Sequence, residues 1–327
     1  MATIRKRSNA WQAVIRRKGY PDNVKTFQTK LEASQWARSV ESEMDKGQFV
    51  SRSMAEQTTF GDVIRRYMIA VTPSKRGRAE ETIRLTATLR HRITKLSMVN
   101  LTPEVMAGYR DERLKACKAN TVIRDLSVLS AIINHARREW GIAIQNPVKV
   151  IRKPQMPPGR DRVLSQAEEA ILLDQLEVRG RRNPLMQPMA ILAIESAMRR
   201  GEILGIEWKH IDFEKRTVYL PLTKNGQSRS VPLSTRALET LRAMSRTLDG
   251  RVFPISIAAM EASFLRAVRR SNLHGLHFHD LRHTAATRMS SKLPNVIELA
   301  AVTGHISLQM LKRYYHPNAV DLAVKLG

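Results

Sequence analysis

HDLRH (His279–His283), followed by VTGHISLQMLKRYYHP (302–317), decides how this chain is read. Two imidazoles, a guanidinium and a tyrosine hydroxyl fall within forty residues of one another. Cations that grip a phosphate, groups that move a proton and a phenolic nucleophile are what phosphoryl transfer to a protein side chain requires. His279 and Arg282 are three apart, so on a helix they share a face. The bland reading is a half-buried histidine on an amphipathic helix beside a solvated arginine.

Working outward, residues 163–327 form one segment. A helix is expected from Gln166 to Leu176, capped by Ser165, and another from Leu185 to Glu195. SAMRRGEILGIEW (196–208) follows, with Arg199 and Glu202 spaced to share a helix face. Val218–Leu220 and Arg229–Leu233 flank Asn225-Gly226, a hairpin signal that puts Lys224 at the tip, where a flexible ammonium reaches into a cleft. Arg199, Lys224, His279 and Arg282 would together supply two guanidiniums, an ammonium and an imidazole around one tetrahedral anion. His277, His279, His283 and Asp280 also invite a metal reading. It ranks low, because no cysteine lies nearby, no HExxH spacing occurs and Arg282 would repel a dication.

Residues 153–162 read as a Pro-rich basic linker whose Arg160 and Arg162 suit a phosphate backbone, although an ordinary tether tolerates the same charge. Residues 58–152 read as a helical bundle. Phe60, Val63, Ile64 and Tyr67 keep helical spacing, as do Leu126, Leu129, Ile132, Ile133 and Ala136. Lys75 and Arg76 sit in the break after Pro73. Thr82, Arg84, Thr86, Thr88, Arg90, His91 and Arg92 make a run rich in phosphate donors. In residues 1–57, alternation at Trp11–Ile15, a turn at 19–23 and Val24–Phe27 predict a small sheet. Thr29 and Glu32 form a capping-box signature ahead of the helical stripe Leu31, Ala33, Trp36, Ala37, Val40 and Met44. Arg5, Lys6, Arg7, Arg16, Arg17 and Lys18 load the sheet side with charge of one sign, which favours DNA contact over a solvated face. The fold class is thus mainly α with small β elements (α+β), in three domains: 1–57, 58–152 and 163–327.

Composition narrows the partner. With 55 Lys+Arg against 30 Asp+Glu, the formal net charge is +25, which attracts a polyanion over a wide surface. No apolar run is long enough to cross a bilayer and no secretory leader pattern occurs, so nucleic acid is preferred to a membrane. Aromatics are only 5%, which favours duplex over single-stranded DNA. Cys117 is the only cysteine, which excludes an intrachain disulfide and fits a reducing cytosol.

The ordered set of Arg199, Lys224 on a hairpin, HxxR at His279 and Arg282, Gly-His at His305 and Arg-Tyr-x-His at Tyr314 resembles the tyrosine recombinase (phage integrase) family, as does the spacing of nine between His305 and Tyr314. NTVIRDLSVLSAIINHARREWGIAIQNPV (120–148) and the 302–317 run look most similar to shufflon-type recombinases, and residues 1–57 resemble arm-binding modules of phage integrases. The resemblance implies site-specific cutting and rejoining of duplex DNA through a Holliday junction. Tyr314 would be the nucleophile and form a 3′-phosphotyrosine bond. Arg199 and Arg282 would clamp the phosphate oxygens, Lys224 would protonate the departing 5′-oxygen, and His279 would help deprotonate Tyr314. His305 would hydrogen-bond the phosphate, and Glu202 would orient Arg199. It also implies no metal, ATP or other cofactor, a free monomer that forms a homo-tetramer on DNA, a DNA-bending accessory protein, and a cytoplasmic setting.

Three departures stand out. Ser196-Ala197 replaces the Thr-Gly usual in the family ahead of Met-Arg, removing a glycine from a turn. Tyr315 adjoins Tyr314, and on a helix only one can face the phosphate. Ala319, Val320, Leu322, Ala323 and Leu326 suit either a short helix docked on a neighbouring protomer or one folded back on its own domain. A type IB topoisomerase and a catalytically dead DNA-binding regulator are the alternative readings.

Overall fold

The computed structural model describes residues 2–20, 22–46, 53–221, 226, 228–293, 295–315, 323–324 and 326. The chain divides into two compact units, 1–158 and 159–327.

The first unit opens with strands β1 (Thr3–Arg7), β2 (Ala10–Ile15) and β3 (Asn23–Phe27), antiparallel in the order β1-β2-β3. β1 was not foreseen, because its alternation is hidden by a run of basic residues. Helix α1 (Lys30–Asp45) starts at Thr29, whose capping box with Glu32 is formed as the spacing implies. Ile15, Ala37, Val40 and Met44 make the small core under the sheet.

The helices α2 (Ser53–Gln57), α3 (Phe60–Ala70), α4 (Arg78–Thr88), α5 (Pro103–Ala116) and α6 (Ala119–Glu139) follow. They close around a separate core that includes Phe60, Ile64, Leu85, Met106, Tyr109, Leu126, Leu129 and Ile133. Asp125 on α6 is buried at 2% exposure and holds Arg84 and Arg113. Arg84 is therefore a packing cation, and Thr88 donates to the Arg84 carbonyl, 3.0 Å away. His91 and Arg92 both bind Glu112. The donor-rich run is thus largely occupied inside its own unit. Asp125→Ala is expected to lower the unfolding free energy by about 2–3 kcal/mol, because it strands two guanidiniums and their charge-assisted hydrogen bonds. Urea denaturation monitored by circular dichroism would measure this.

The second unit comprises α7 (Gln166–Leu176), α8 (Met186–Ser196), α9 (Arg200–Leu204), strands β4 (Ile211–Asp212), β5 (Thr217–Leu220) and β6 (Arg229–Pro232), then α10 (Thr235–Arg242), α11 (Ile257–Arg270), α12 (Phe278–Lys292), α13 (Val296–Thr303) and α14 (Leu308–Leu311). α7 has the bounds read from sequence, and Ser165 and Glu168 complete its capping box. α8 is apolar on all sides and lies at the centre of a core with Leu172, Ala190, Ile203, Val218, Val231, Leu238, Phe253, Phe264 and Leu281. A second, smaller cluster of Ala286, Leu299, Leu311 and Tyr314 seats α14 and Tyr314 on α12 and α13. This is the expected α+β class, with two antiparallel, three-stranded sheets among the described residues.

The short β4 was not foreseen. Among the described residues, the pairing of β5 with β6 runs from Thr217–Pro232 to Leu220–Arg229. Lys224 and Asn225 lie outside the described residues, as do Ala319, Val320 and Leu322.

The basic residues assigned to DNA fare unevenly. Arg160 makes a two-pronged contact with the buried Asp280 carboxylate, at 2.7 and 3.1 Å, and Arg162 binds Glu168. Lys75 donates to Glu81 at 2.7 Å and to the Tyr67 hydroxyl at 2.9 Å. Each of these three cations is thus paired with a carboxylate of its own unit while keeping part of its side chain exposed. It also follows that 159–162 is folded against the second unit and is not a free tether. Arg16 pairs with Asp22, Arg17 with Asp45, and Arg5 donates to Gln12. Arg5, Lys6, Arg7, Arg16, Arg17, Lys18 and Arg76 are all exposed.

Candidate active site

The site is assembled on α12. Asp280 at its third position accepts from the His277 backbone N–H and completes a capping box, while its carboxylate also holds Arg160. With the start of the helix fixed in this way, His279, Arg282 and His283 project from one face. Arg282 is buried at 3% exposure and donates to the carbonyls of Ala197 and Thr303. Burial, with the charge of Arg199 beside it, pulls its pKa down to about 10. It remains cationic at neutral pH.

Arg199 does not share a helix face with Glu202 as the spacing suggested. It is the N-cap of α9, and Glu202 reaches back to its backbone N–H at 2.7 Å and to its guanidinium at 2.8 Å. The other arm of Arg199 donates to the Gly304 carbonyl at 2.8 Å. Glu202 is 8% exposed. Burial pushes its carboxyl up, but the Arg199 N–H and the Arg229 and Arg199 guanidiniums outweigh this and hold it below the ordinary range. Ala197 occupies the left-handed region at φ 52°, where a glycine would be unstrained. The departure from Thr-Gly therefore keeps the turn at a steric cost, and the carbonyl of that same residue anchors Arg282.

Gly304 closes α13 at φ 70°, and a Cβ there would lie 2.8 Å from Nε of Arg229. Glycine is needed on both counts. Arg229 was missed from sequence. Its guanidinium donates to Glu202 at 2.8 Å and to the Val302 carbonyl, so it ties the Arg199 turn to the loop carrying His305. Thr303 was also missed. Its hydroxyl donates to the Leu299 carbonyl at 2.6 Å and so accepts from Nδ1 of His305 at 2.7 Å. This leaves the lone pair of His305 Nε2 facing Arg282 at 3.4 Å.

Tyr314 ends a 3₁₀ turn (Lys312–Tyr314) and is 5% exposed. Its hydroxyl is 2.7 Å from Nδ1 of His283. His279 packs edge-on against His283 at 5.0 Å between ring centroids. The imidazole at the phenol is therefore His283, not the expected His279. Tyr315 points elsewhere, donating to the Leu293 carbonyl at 2.6 Å. Gly159, His279, Arg282, His283, His305, Gln309, Met310, Arg313 and Tyr314 line one cavity of ≈ 500 Å³. Of the sequence-nominated set, His279, Arg282, His305 and Tyr314 line this cavity, Arg199 and Glu202 adjoin it through the bond from Arg199 to the Gly304 carbonyl, and Lys224 lies outside the described residues.

The cavity is crowded with positive charge. Burial, then the neighbouring cations, pull both His283 and His305 down to about 4, and burial raises the Tyr314 phenol. The unfolded chain takes up protons on these imidazoles near pH 6.5, whereas the folded one takes them up only near 4. Stability is therefore full above about pH 6.5 and declines as pH falls toward 4, at up to about 1.4 kcal/mol per histidine per pH unit. Melting temperatures across that window are expected to fall less steeply in His305→Gln.

Residues 162–320 match the model of the phage integrase family. The chain is 40% identical to the shufflon-specific DNA recombinase of Escherichia coli, over 80% of this chain and 70% of that protein. It is 34% identical to a putative integrase/recombinase of Haemophilus influenzae, over 98% and 89%. Among solved structures, the Tn1549 transposon integrase in complex with circular intermediate DNA superposes with a TM-score of 0.67, at 17% identity, over 83% of this chain and 100% of that one. A lambda integrase tetramer bound to a Holliday junction gives 0.65 at 19% identity, over 97% and 98%. With a buried tyrosine, two guanidiniums and three imidazoles gathered at one cavity, and with these relatives, the chain belongs to the phage integrase family of tyrosine recombinases.

Proposed function

We propose that this chain is a site-specific DNA recombinase that cuts and rejoins duplex DNA through a covalent tyrosine intermediate. The observation that carries the reading is the convergence of Arg199, Arg282, His305 and Tyr314, from four separate elements, on one site. Arg199 and Arg282 each hold protein acceptors through both terminal nitrogens, and the remaining N–H groups of each planar guanidinium are assigned to the non-bridging oxygens of a phosphate. Their charge is fixed before DNA arrives, so stabilising the extra negative charge of the transition state requires little reorganisation. The Tyr314 oxygen attacks phosphorus, the 5′-oxygen leaves, and a 3′-phosphotyrosine ester retains the bond energy for religation. Lys224 is assigned to protonate the leaving oxygen, Glu202 and Arg229 to hold Arg199, and His305 to contact the phosphate. No metal or ATP enters this scheme.

The same reading extends to assembly. A monomer in solution, a tetramer on a Holliday junction, a DNA-bending accessory protein and a cytoplasmic setting follow from the family. Among the described residues, no helix is long and apolar enough to cross a membrane. Residues 1–57 are assigned to arm-type DNA contact, through the exposed Arg5, Lys6, Arg7, Arg16, Arg17 and Lys18, and residues 58–152 to the core site.

A plasmid carrying paired target sites, incubated with the purified chain, is expected to yield recombinant junctions detectable by sequencing. Relaxed plasmid without junctions would instead favour a topoisomerase, and binding without covalent capture a regulator.

A further inference from the structure

Three imidazoles border the cavity; His283 and His305 both pack against the Tyr314 ring, at 5.8 and 5.9 Å between centroids, but among the described residues His283 is the one hydrogen-bonded to its hydroxyl. We propose that His283 is a catalytic residue that accepts the Tyr314 proton during strand cleavage and returns it during religation. The inference rests on the reading of Tyr314 as the nucleophile.

The geometry favours His283 over its neighbours. Nδ1 of His283 lies 2.7 Å from the Tyr314 hydroxyl, within the reach of a direct proton transfer. His305 is turned away from this task, because Nδ1 is engaged with Thr303 and Nε2 faces Arg282. His279 meets His283 edge-on, with its ring centroid 5.0 Å away. His283 is also held rigidly. It is 9% exposed and follows Arg282 directly on α12, so a single helix fixes both the proton acceptor and a phosphate-gripping arginine.

The charges around the ring explain how it is held ready. His279, Arg282 and Asp280 face it from α12, Arg313 and Tyr314 from the 3₁₀ turn, and His305 from the loop after α13. Burial and this cationic surplus keep the resting ring uncharged, so its Nδ1 lone pair is available. A phosphodiester entering the cavity brings the anion that makes an imidazolium tolerable there. The proton then moves from Tyr314 Oη to His283 Nδ1 as the Oη–phosphorus bond forms. The phosphorus–O5′ bond breaks, and the departing oxygen takes its proton from a separate donor, the role given to Lys224. In religation the 5′-hydroxyl attacks phosphorus and gives its proton back to that separate donor, the phosphotyrosine bond breaks, and His283 returns its proton to Tyr314 Oη.

The test is single-turnover cleavage of a nicked suicide duplex by the full chain, comparing the parent with His283→Asn. The amide accepts a hydrogen bond near the Nδ1 position but takes no proton at these pH values. Cleavage is expected to slow by about 10²–10⁴-fold at pH 7. Its logarithm should rise with a slope near one between pH 7 and 9, where the parent is flat, and added imidazole should restore part of the rate. Thermal melting and DNA affinity, measured alongside, separate this from misfolding, and His283→Gln serves if the asparagine variant does not fold. A rate within tenfold of the parent would overturn the proposal. So would a loss whose pH profile runs parallel to the parent's, which marks a merely structural role. If the parent itself captures no DNA, the reading of Tyr314 fails first.

Discussion

Tyr314→Phe is expected to bind its DNA with nearly the parent's affinity and to form no covalent protein–DNA complex. The substitution leaves the ring seated among Ala286, Leu299 and Leu311 and removes only the hydroxyl. The lost hydrogen bond to His283 costs about 1 kcal/mol of stability, too little to unfold the unit. Among the described residues, no other phenol is placed to substitute. Tyr315 is next in sequence, but its hydroxyl is tied to the Leu293 carbonyl and its backbone is extended, so the two rings diverge. Denaturing gels of trapped suicide substrate, beside a filter-binding titration, separate the two quantities. Loss of the covalent band in Tyr315→Phe with retention in Tyr314→Phe would reverse the assignment.

Arg199→Lys should reduce single-turnover cleavage by about 10²–10³-fold while leaving duplex affinity within a few-fold, because it keeps the charge and loses the fork. Arg199 binds Glu202 through one terminal nitrogen and the Gly304 carbonyl through the other. An ammonium cannot span both and still present donors to a phosphate. Once the introduced ammonium settles on the Glu202 carboxylate, the loop bearing Gly304 and His305 loses an anchor. Glu202 keeps its second partner, Arg229, so the carboxylate is not stranded and the variant should fold. Cleavage rates at saturating protein isolate the chemical step from binding. A rate close to the parent's would mean that Arg199 positions its neighbours and does not act on the phosphate.

Local signals carried most of the fold. Thr29 with Glu32 and Ser165 with Glu168 are caps whose partners lie three residues apart, so the sequence displays them directly. The stripe from Leu126 to Ala136 is likewise a local period, and every member is buried. β1 and β4 were not legible, the first masked by basic residues and the second only two residues long.

The site shows the same division. His279, Arg282, His305 and Tyr314 were legible because their order and spacing are distinctive. Arg229 and Thr303 were not, because their work is done across the fold. Arg229 meets Glu202 at a sequence separation of 27, and nothing local in RSVPL marks it. His283 was visible in HDLRH but had no assignable task until the turn carrying Tyr314 was placed against α12. Arg160, Arg162 and Lys75 show the opposite limit. Sequence shows a charge but not the carboxylate that folding brings to it.

The most direct test of the central claim is mass-spectrometric mapping of the DNA-linked peptide after suicide-substrate trapping and nuclease digestion. The account predicts a nucleotide joined through its 3′-phosphate to Tyr314. An adduct on Tyr315, a 5′-phosphate linkage, or no adduct from an active preparation would contradict it.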